Sequence, residues 1–305
     1  MGADYHGILS LHKPLGITSH DCVLRIRKLF KTKKVGHTGT LDPNASGVLP
    51  ICIGNATKVA QYMSDYTKSY EAEITLGTAT ITEDAAGEVI AKKPVDSSIT
   101  VERLKQVLET MKGSITQTPP IYSAVKVKGK KLYQYAREGL DVERPARRVT
   151  IEHIKLLSRH DVDKNNPSFR IHVTCSKGTY VRTLAVDIGK KLGYPAHVSS
   201  LIRTKSGPFT IDESVTFEQL EKDLKNATVK LYPIGTAVSH FDKIVVDEAT
   251  AKKIKNGVFL PLTNQNKEKR WAVFRENGEL IAIYIRHPSK PEWMKPEKVI
   301  TTSHR

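Results

Sequence analysis

Apolar and polar positions alternate with period two in two segments. Over residues 69–76, Tyr70, Ala72, Ile74 and Leu76 share a face; over 169–175, Ile171, Val173 and Cys175 do. Both read as strands. Residues 7–11 read as a further short strand, ended by Lys13, Pro14 and Gly16. A helical period appears at Cys22, Val23, Ile26, Leu29 and Phe30, behind a capping-box pattern at Thr18-Ser19-His20-Asp21. Val101, Leu104, Val107, Leu108 and Met111 give a second helix that Gly113 stops, and residues 180–192 give a third, stopped by Gly193. Residues 197–208 read as a strand and loop. Gly36, Gly39, Pro43 and Gly47 predict an ordered loop that runs into a buried apolar stretch at 48–53. Past residue 240 the texture changes. A strand at 243–246 and a short helix at 249–255 precede Asn277-Gly278, which sits between apolar runs at 271–275 and 280–286 and signals a hairpin.

No strand–helix–strand unit repeats, so the pattern predicts an α+β fold with a mixed, largely antiparallel sheet. The expected division is a body at 1–238, with an insertion at about 119–148, and a small β-rich module at 241–305. The boundary falls near residues 233–240.

The chain has 305 residues, 39% of them hydrophobic and 26% charged, enough to build a core and ordinary for a globular protein. Its formal net charge is +16. The excess is spread along the chain, +7 over residues 1–150, +4 over 151–240 and +5 over 241–305, so the folded body itself is cationic. Such a body attracts polyanions, nucleic acid first. Solubility alone needs far less charge. Cys22, Cys52 and Cys175 are odd in number and far apart, which gives no disulfide framework or paired zinc motif and suits a reducing compartment. No apolar run is long enough for a transmembrane helix, and the first residues lack a secretory pattern, so a cytoplasmic location is expected.

The glycine-rich signatures of dinucleotide and P-loop sites are missing, as are the zinc-protease, zinc-deaminase and nucleophile-elbow motifs. Any chemistry is expected to run on side chains alone. The leading candidate is Asp42, in Gly39-Thr40-Leu41-Asp42-Pro43, where a glycine-bounded backbone lets a substrate approach closely. The competing reading is an Asx turn, and on this segment alone it prevails. Arg182 could fork onto a carboxylate and keep it ionised, or decorate a surface with Asp187. Tyr70 shares a face with apolar residues, which fits core packing. His37 could be a base, a stacking group or a loop hydrogen bond. Arg25, Arg27, Lys28, Lys31, Lys33 and Lys34 lie within ten residues that hold no acid, so they could meet a polyanion or simply form a solvated face.

Six motifs occur in order: Leu11-His-Lys-Pro-Leu-Gly-Ile-Thr-Ser19, Gly36-His-Thr-Gly-Thr-Leu-Asp-Pro43, Ala45-Ser-Gly-Val-Leu-Pro50, Tyr122-Ser-Ala-Val-Lys126, Gly129-Lys-Lys-Leu-Tyr133 and Lys177-Gly-Thr-Tyr-Val-Arg-Thr-Leu184. Together they resemble the TruB family, the bacterial tRNA pseudouridine-55 synthases, over residues 5 to 210. The tail is more weakly similar to that family's PUA-type RNA-binding module. One departure lies at Thr80-Ile81-Thr82-Glu83-Asp84, where many relatives carry an aspartate in place of Ile81; this segment is expected to lie away from the Asp42 loop.

The resemblance implies a pseudouridine synthase fold with Asp42 as the essential catalytic aspartate and Arg182 as its partner. It implies that Tyr70 stacks on the target uracil and is a candidate for proton transfer. Tyr180 and Leu201 would line the nucleotide pocket, His37 would fill the space a flipped base leaves, and Lys13 would support the site. Candidate RNA-backbone contacts are Arg25, Lys28, Lys31, Lys33 and Lys34, with Lys126, Lys128, Lys130 and Lys131 of the insertion. The implied reaction makes no net redox change and no hydrolysis, so no cofactor and no metal are expected. The expected partner is the T arm of tRNA, met by a monomer with no obligatory protein partner. A non-catalytic RNA binder or tRNA-folding chaperone fits the charge and the tail equally well. An RNA methyltransferase is disfavoured because no glycine-rich cofactor loop follows a strand.

Overall fold

The computed structural model describes residues 5–96, 99–160, 167–262 and 270–300. Strand β1 (Gly7–Lys13) leads into helix α1 (Ser19–Leu29). The expected capping box is present: Thr18 Oγ1 accepts from the Asp21 N–H, and the Asp21 carboxylate accepts from the Thr18 N–H. Cys22, Val23 and Ile26 of α1 are buried, so its apolar period faces the core.

The next segment departs from the expected loop. Strand β2 (Val35–His37) pairs with the end of strand β3 (Ala45–Ile53), and β3 starts three residues before the apolar run. Gly47 serves close packing there rather than breaking the strand. At its φ of +106°, an added Cβ would stand 2.2 Å from the Arg203 carbonyl oxygen, so only glycine fits.

Strand β4 (Lys68–Leu76) carries the alternating pattern. A small hairpin, β5 (Thr78–Thr80) with β6 (Val89–Lys92), helix α2 (Val101–Glu109) and strand β7 (Gly113–Gln117) follow. The insertion holds a tight hairpin, β8 (Lys126–Val127) with β9 (Lys130–Lys131), and helix α3 (Leu132–Arg137). Lys128 and Gly129 both have positive φ, as a two-residue turn between twisted strands requires. Strand β10 (Arg147–His160) is long but hidden from pattern reading. Register shifts at Ile151/His153 and Leu156/Ser158 break its alternation. Then come β11 (Ser168–Cys175), α4 (Val181–Leu192), β12 (Ala196–Ser206), β13 (Phe209–Thr210) and α5 (Phe217–Lys225).

Nine strands make one sheet in the order β1-β3-β12-β4-β11-β10-β7, with β2 added on β3 and β13 on β12. Its strand pairs are antiparallel except for β3 with β12. The α+β class and the mixed, mainly antiparallel sheet are as expected. One core joins β4 and β11 to α2 and α4; another joins β1 and β3 to α1 and α5. Tyr70 and Leu201 pack against both, so they stand at the seam where the two cores meet.

The C-terminal part holds β14 (Asp242–Val246), α6 (Glu248–Ile254), β15 (Leu260–Pro261), β16 (Arg270–Arg275), β17 (Leu280–Arg286) and β18 (Trp293–Val299). Its five-stranded sheet runs β14-β16-β17-β18-β15, and the Asn277-Gly278 hairpin forms as expected. This sheet is not a separate island. Ala272, Leu280, Ile283 and Ile300 share a core with Ile8, Val48 and Phe209 of the body. The Tyr62 hydroxyl also donates to Glu297 at 3.1 Å. Residues 301–305, the end of the expected module, lie outside the described residues. Among the described residues, no helix is long and apolar enough to cross a membrane.

Candidate active site

Asp42 sits in the bend between β2 and β3, and both of its neighbours are pinned. Ser19 Oγ accepts from the Leu41 N–H at 2.8 Å and donates to the Leu41 carbonyl at 3.0 Å. Lys13 Nζ donates to the Pro14 carbonyl at 2.8 Å and the Pro43 carbonyl at 3.4 Å, and the Gly16 N–H donates to Pro43 at 2.9 Å. Lys13 is fully buried, which lowers its pKa, while the Cys22 and Asp42 acids oppose that shift. The bend is thus fixed to β1 and to the start of α1. Asp42 turns its carboxylate to Arg182 rather than to its own backbone as in an Asx turn: Oδ2 is 2.9 Å from Arg182 Nη2.

The two partners differ sharply in exposure. The Arg182 side chain is 4% exposed and the Asp42 side chain 39%. The arginine is a built-in anchor, and the carboxylate faces open space. Arg182 Nη2 also donates to the Tyr122 carbonyl at 3.0 Å, and Nη1 donates to the Thr82 carbonyl at 2.6 Å. One guanidinium therefore ties the Asp42 bend, the root of the insertion and the β5–β6 connection to α4. This corrects the placement of residues 80–84, expected to lie away from the Asp42 loop: the Thr82 carbonyl holds the aspartate's partner. Thr183, next on α4, donates to the Glu83 carboxylate at 2.8 Å, and burial raises the Glu83 pKa.

A cavity of about 600 Å³ opens beside Asp42. Tyr70, Tyr180, Arg182 and Leu201 share its wall with Asp42. Five residues singled out in the sequence, from four separate segments, are thus brought together. Burial raises the Tyr70 phenol above its ordinary value, so this ring is neutral at neutral pH; contact with the Arg203 cation pulls the other way. Tyr180 caps α4 and is aimed by Gln117, whose amide accepts from the Tyr180 N–H and donates to its carbonyl. His37 and Lys13 are not in that wall. His37 lies two residues before Gly39, whose N–H donates to His37 Nδ1 at 3.4 Å. Burial, with help from Arg203 and His20, lowers the His37 pKa and favours the neutral ring.

Sequence reasoning missed Arg203. It is fully buried on β12, beside Tyr70 on β4 and Gly47 on β3. Its Nε donates to the Val48 carbonyl at 2.7 Å and its Nη2 to the Gly39 carbonyl at 3.1 Å, so it shapes the Asp42 bend from below. Gly47 was its only trace in the sequence.

The expected RNA-backbone cations divide into free and engaged groups. Lys28, Lys31, Lys33 and Lys34 are exposed and form no ion pair among the described residues. Arg25 pairs with Glu221 of α5 at 2.6 Å and lies 4.1 Å from the Phe217 ring centroid, so the acid that seemed absent near this run comes from another helix. On the insertion, Lys126 and Lys128 are exposed and form no ion pair among the described residues, whereas Lys130 pairs with Glu138 and Lys131 lies over Tyr133.

Comparison with known proteins shows the family. Residues 27–181 match the family model described as TruB family pseudouridylate synthase, N-terminal domain, and residues 182–238 match the tRNA pseudouridylate synthase B C-terminal domain. The chain belongs to the TruB family of pseudouridylate synthases. Among its TruB relatives, the tRNA pseudouridine synthase B of Bacillus licheniformis is 55% identical, over 97% of this chain and 98% of that one. The corresponding Bacillus subtilis protein is 54% identical, over 97% of each. A chain from the crystal structure of a Cbf5-Nop10-Gar1 complex superposes with a TM-score of 0.73 at 28% identity, covering 97% of this chain and 85% of its own. A chain of an H/ACA RNP bound to a substrate RNA containing 2'-deoxyuridine gives 0.71 at 27% identity, with the same coverage. The TruB models meet between Val181 and Arg182, inside α4, so the family's two segments interlock in one sheet and the Asp42–Arg182 pair joins them.

Proposed function

We propose that this protein isomerises uridine-55 in the T loop of tRNA to pseudouridine, with Asp42 as the essential group. The observation that carries this reading is the half-exposed Asp42 carboxylate, held by a buried arginine at the wall of a cavity that also presents Tyr70, Tyr180 and Leu201. The cavity volume is in the range of about 300–1,000 Å³ usual for small-ligand sites.

The reaction breaks the N1–C1′ bond and makes a C5–C1′ bond between the same two fragments. N1 gains a proton and C5 loses one, so nothing is oxidised or hydrolysed. An ionised carboxylate can attack the sugar, attack the base, or act as a base that promotes elimination to a glycal. Asp42 serves each route, and its Arg182 partner keeps the charge in place. The freed uracil must turn without leaving, which the two tyrosines and Leu201 oppose by walling it in. A T-loop uridine must first swing out of its fold, at a cost of a few kcal/mol. Neutral His37, beside the Asp42 bend, suits the space left behind. Phosphate contacts by the exposed lysines of the α1 end and the insertion tip offset that cost. The C-terminal sheet is assigned as a PUA-like RNA-binding module at 241–305, and residues 1–238 as the catalytic body.

The test is pseudouridine mapping at nucleotide resolution on a full tRNA transcript treated with the protein. Conversion confined to uridine-55 supports the reading. Conversion at another uridine corrects the site, and binding without any conversion favours the chaperone.

A further inference from the structure

Among the described residues, seven buried side-chain nitrogen and oxygen atoms have no hydrogen-bond partner within the protein. Such atoms are few in native structures, and each calls for a reason. Three of the seven, Ser123 Oγ and Arg147 Nε and Nη2, belong to residues in the wall of the cavity beside Asp42. Neither residue was singled out as a site residue from the sequence.

Arg147 opens β10. Its Cζ lies 4.8 Å from the centroid of the Tyr180 ring, close enough for the ring face to attract the cation. Close to it as well is the bend at Gly178, where φ is +82° and an added Cβ would stand 3.4 Å from Arg147 Nη1. The guanidinium has a ring and a glycine turn as neighbours, and no carboxylate among the described residues pairs with it. Two neighbouring cations of the same wall are occupied: Lys68 Nζ donates to the Ser64 and Tyr66 carbonyls, and Lys177 pairs with Asp65 at 2.5 Å; Arg148, also in the wall, is exposed to solvent. Arg147 thus keeps a whole charge in the wall of the cavity that Asp42 and Arg182 also line, and two of its buried donors are unused.

A planar fork of unused N–H donors matches a phosphate, which it can hold through two parallel bonds. We propose that Arg147 contacts substrate directly, its guanidinium leaving the Tyr180 ring to take the phosphate beside the extruded uridine, with the Ser123 hydroxyl donating to the same nucleotide. This rests on the proposed function. The same swing uncovers the Tyr180 face for the incoming nucleotide, so one side chain both shields the ring in the free protein and grips the substrate in the complex.

The experiment compares wild type, Arg147→Met, Arg147→Lys and Ser123→Ala on a T-arm stem-loop. It reads KM, kcat, melting temperature and the dependence of binding on salt. Methionine keeps the packing on Tyr180 and removes the charge. Arg147→Met is expected to raise KM by about tenfold or more, with kcat much less affected. Its slope of log affinity against log salt is expected to fall by about one. Arg147→Lys should restore the slope but only part of the KM. Wild-type KM and slope in Arg147→Met overturn the proposal, as does a loss of melting temperature with an unchanged slope. If wild type makes no pseudouridine, the proposed function fails, and the salt slope of binding still decides whether Arg147 meets a phosphate.

Discussion

Ser19→Ala tests how the Asp42 bend is held. Ser19 is nearly inaccessible and so is Leu41, and one hydroxyl satisfies both backbone groups of Leu41. Removing it leaves a buried N–H and a buried C=O without partners. Each costs about 1–3 kcal/mol when it stays buried and unpaired. Relaxation of the bend lowers the sum, so a loss of about 2–4 kcal/mol is expected, which for a chain of this size shifts the Tm by roughly 5–10 °C. Whatever the bend recovers by moving, Asp42 gives up in placement. A displacement of about 1 Å at a reacting group can cost on the order of a hundredfold in rate. Thermal unfolding and single-turnover pseudouridine formation read the two effects on one sample. Thr18→Ala is the control. It removes the N-cap of α1, worth about 1 kcal/mol, but touches no atom of the bend, so its rate should stay near wild type. A Ser19→Ala protein with wild-type Tm and wild-type rate refutes the reasoning.

Binding of tRNA should weaken steeply with salt, and Lys126→Ala or Lys128→Ala should each lower the salt slope by about one, whereas Lys130→Ala, already paired with Glu138, should change it less. Equal effects at all three positions would contradict the division into free and engaged cations. Burial lowers Lys68 from 10.5 to about 8, so between those values the unfolded chain holds a proton that the folded one has released. Its contribution to stability therefore rises with pH across that window and is unfavourable below it; Lys68→Met should flatten the rise, by up to about 1.4 kcal/mol per pH unit in denaturant titrations, and parallel curves would count against this. Gly47→Ala forces a Cβ into the Arg203 backbone at a φ of +106° and should cost more than about 3 kcal/mol; an unchanged denaturation midpoint would show that β3 and β12 do not meet so closely.

Local rules carried much of the fold. Helix α1 was legible because its cap, its apolar period and its charged face all agree, and β4 and β11 because one face of each is core. Strand β10 was hidden because two bulges break its alternation, so its residues fit neither period. Strand β2 was hidden because it is only three residues long and has a glycine at its centre, and the close approach that Gly47 permits shows only when β3 and β12 are seen side by side. The Asp42–Arg182 pair joins residues far apart in the chain, and no local pattern links its members; ordered motifs resembling a known family did. Arg203 fell in a segment read as strand and loop and Arg147 in the expected insertion, and neither carried a local signal of a site. The burial of the first and the unused donors of the second arise from tertiary contacts with Gly39, Val48, Gly178 and Tyr180. The hairpin at Asn277-Gly278 was plain, whereas the packing of its sheet onto β1 and β3 needed the assembled core.

The central claim is that one carboxylate, presented by a rigid bend and steadied by Arg182, performs the isomerisation. Asp42→Asn keeps the size of the side chain and most of its hydrogen bonding while removing the negative charge. Single-turnover assays on a saturating T-arm stem-loop, with binding measured in parallel, test it most directly. Binding close to wild type with no detectable pseudouridine is the predicted result, and substantial conversion by the Asp42→Asn protein would contradict the account.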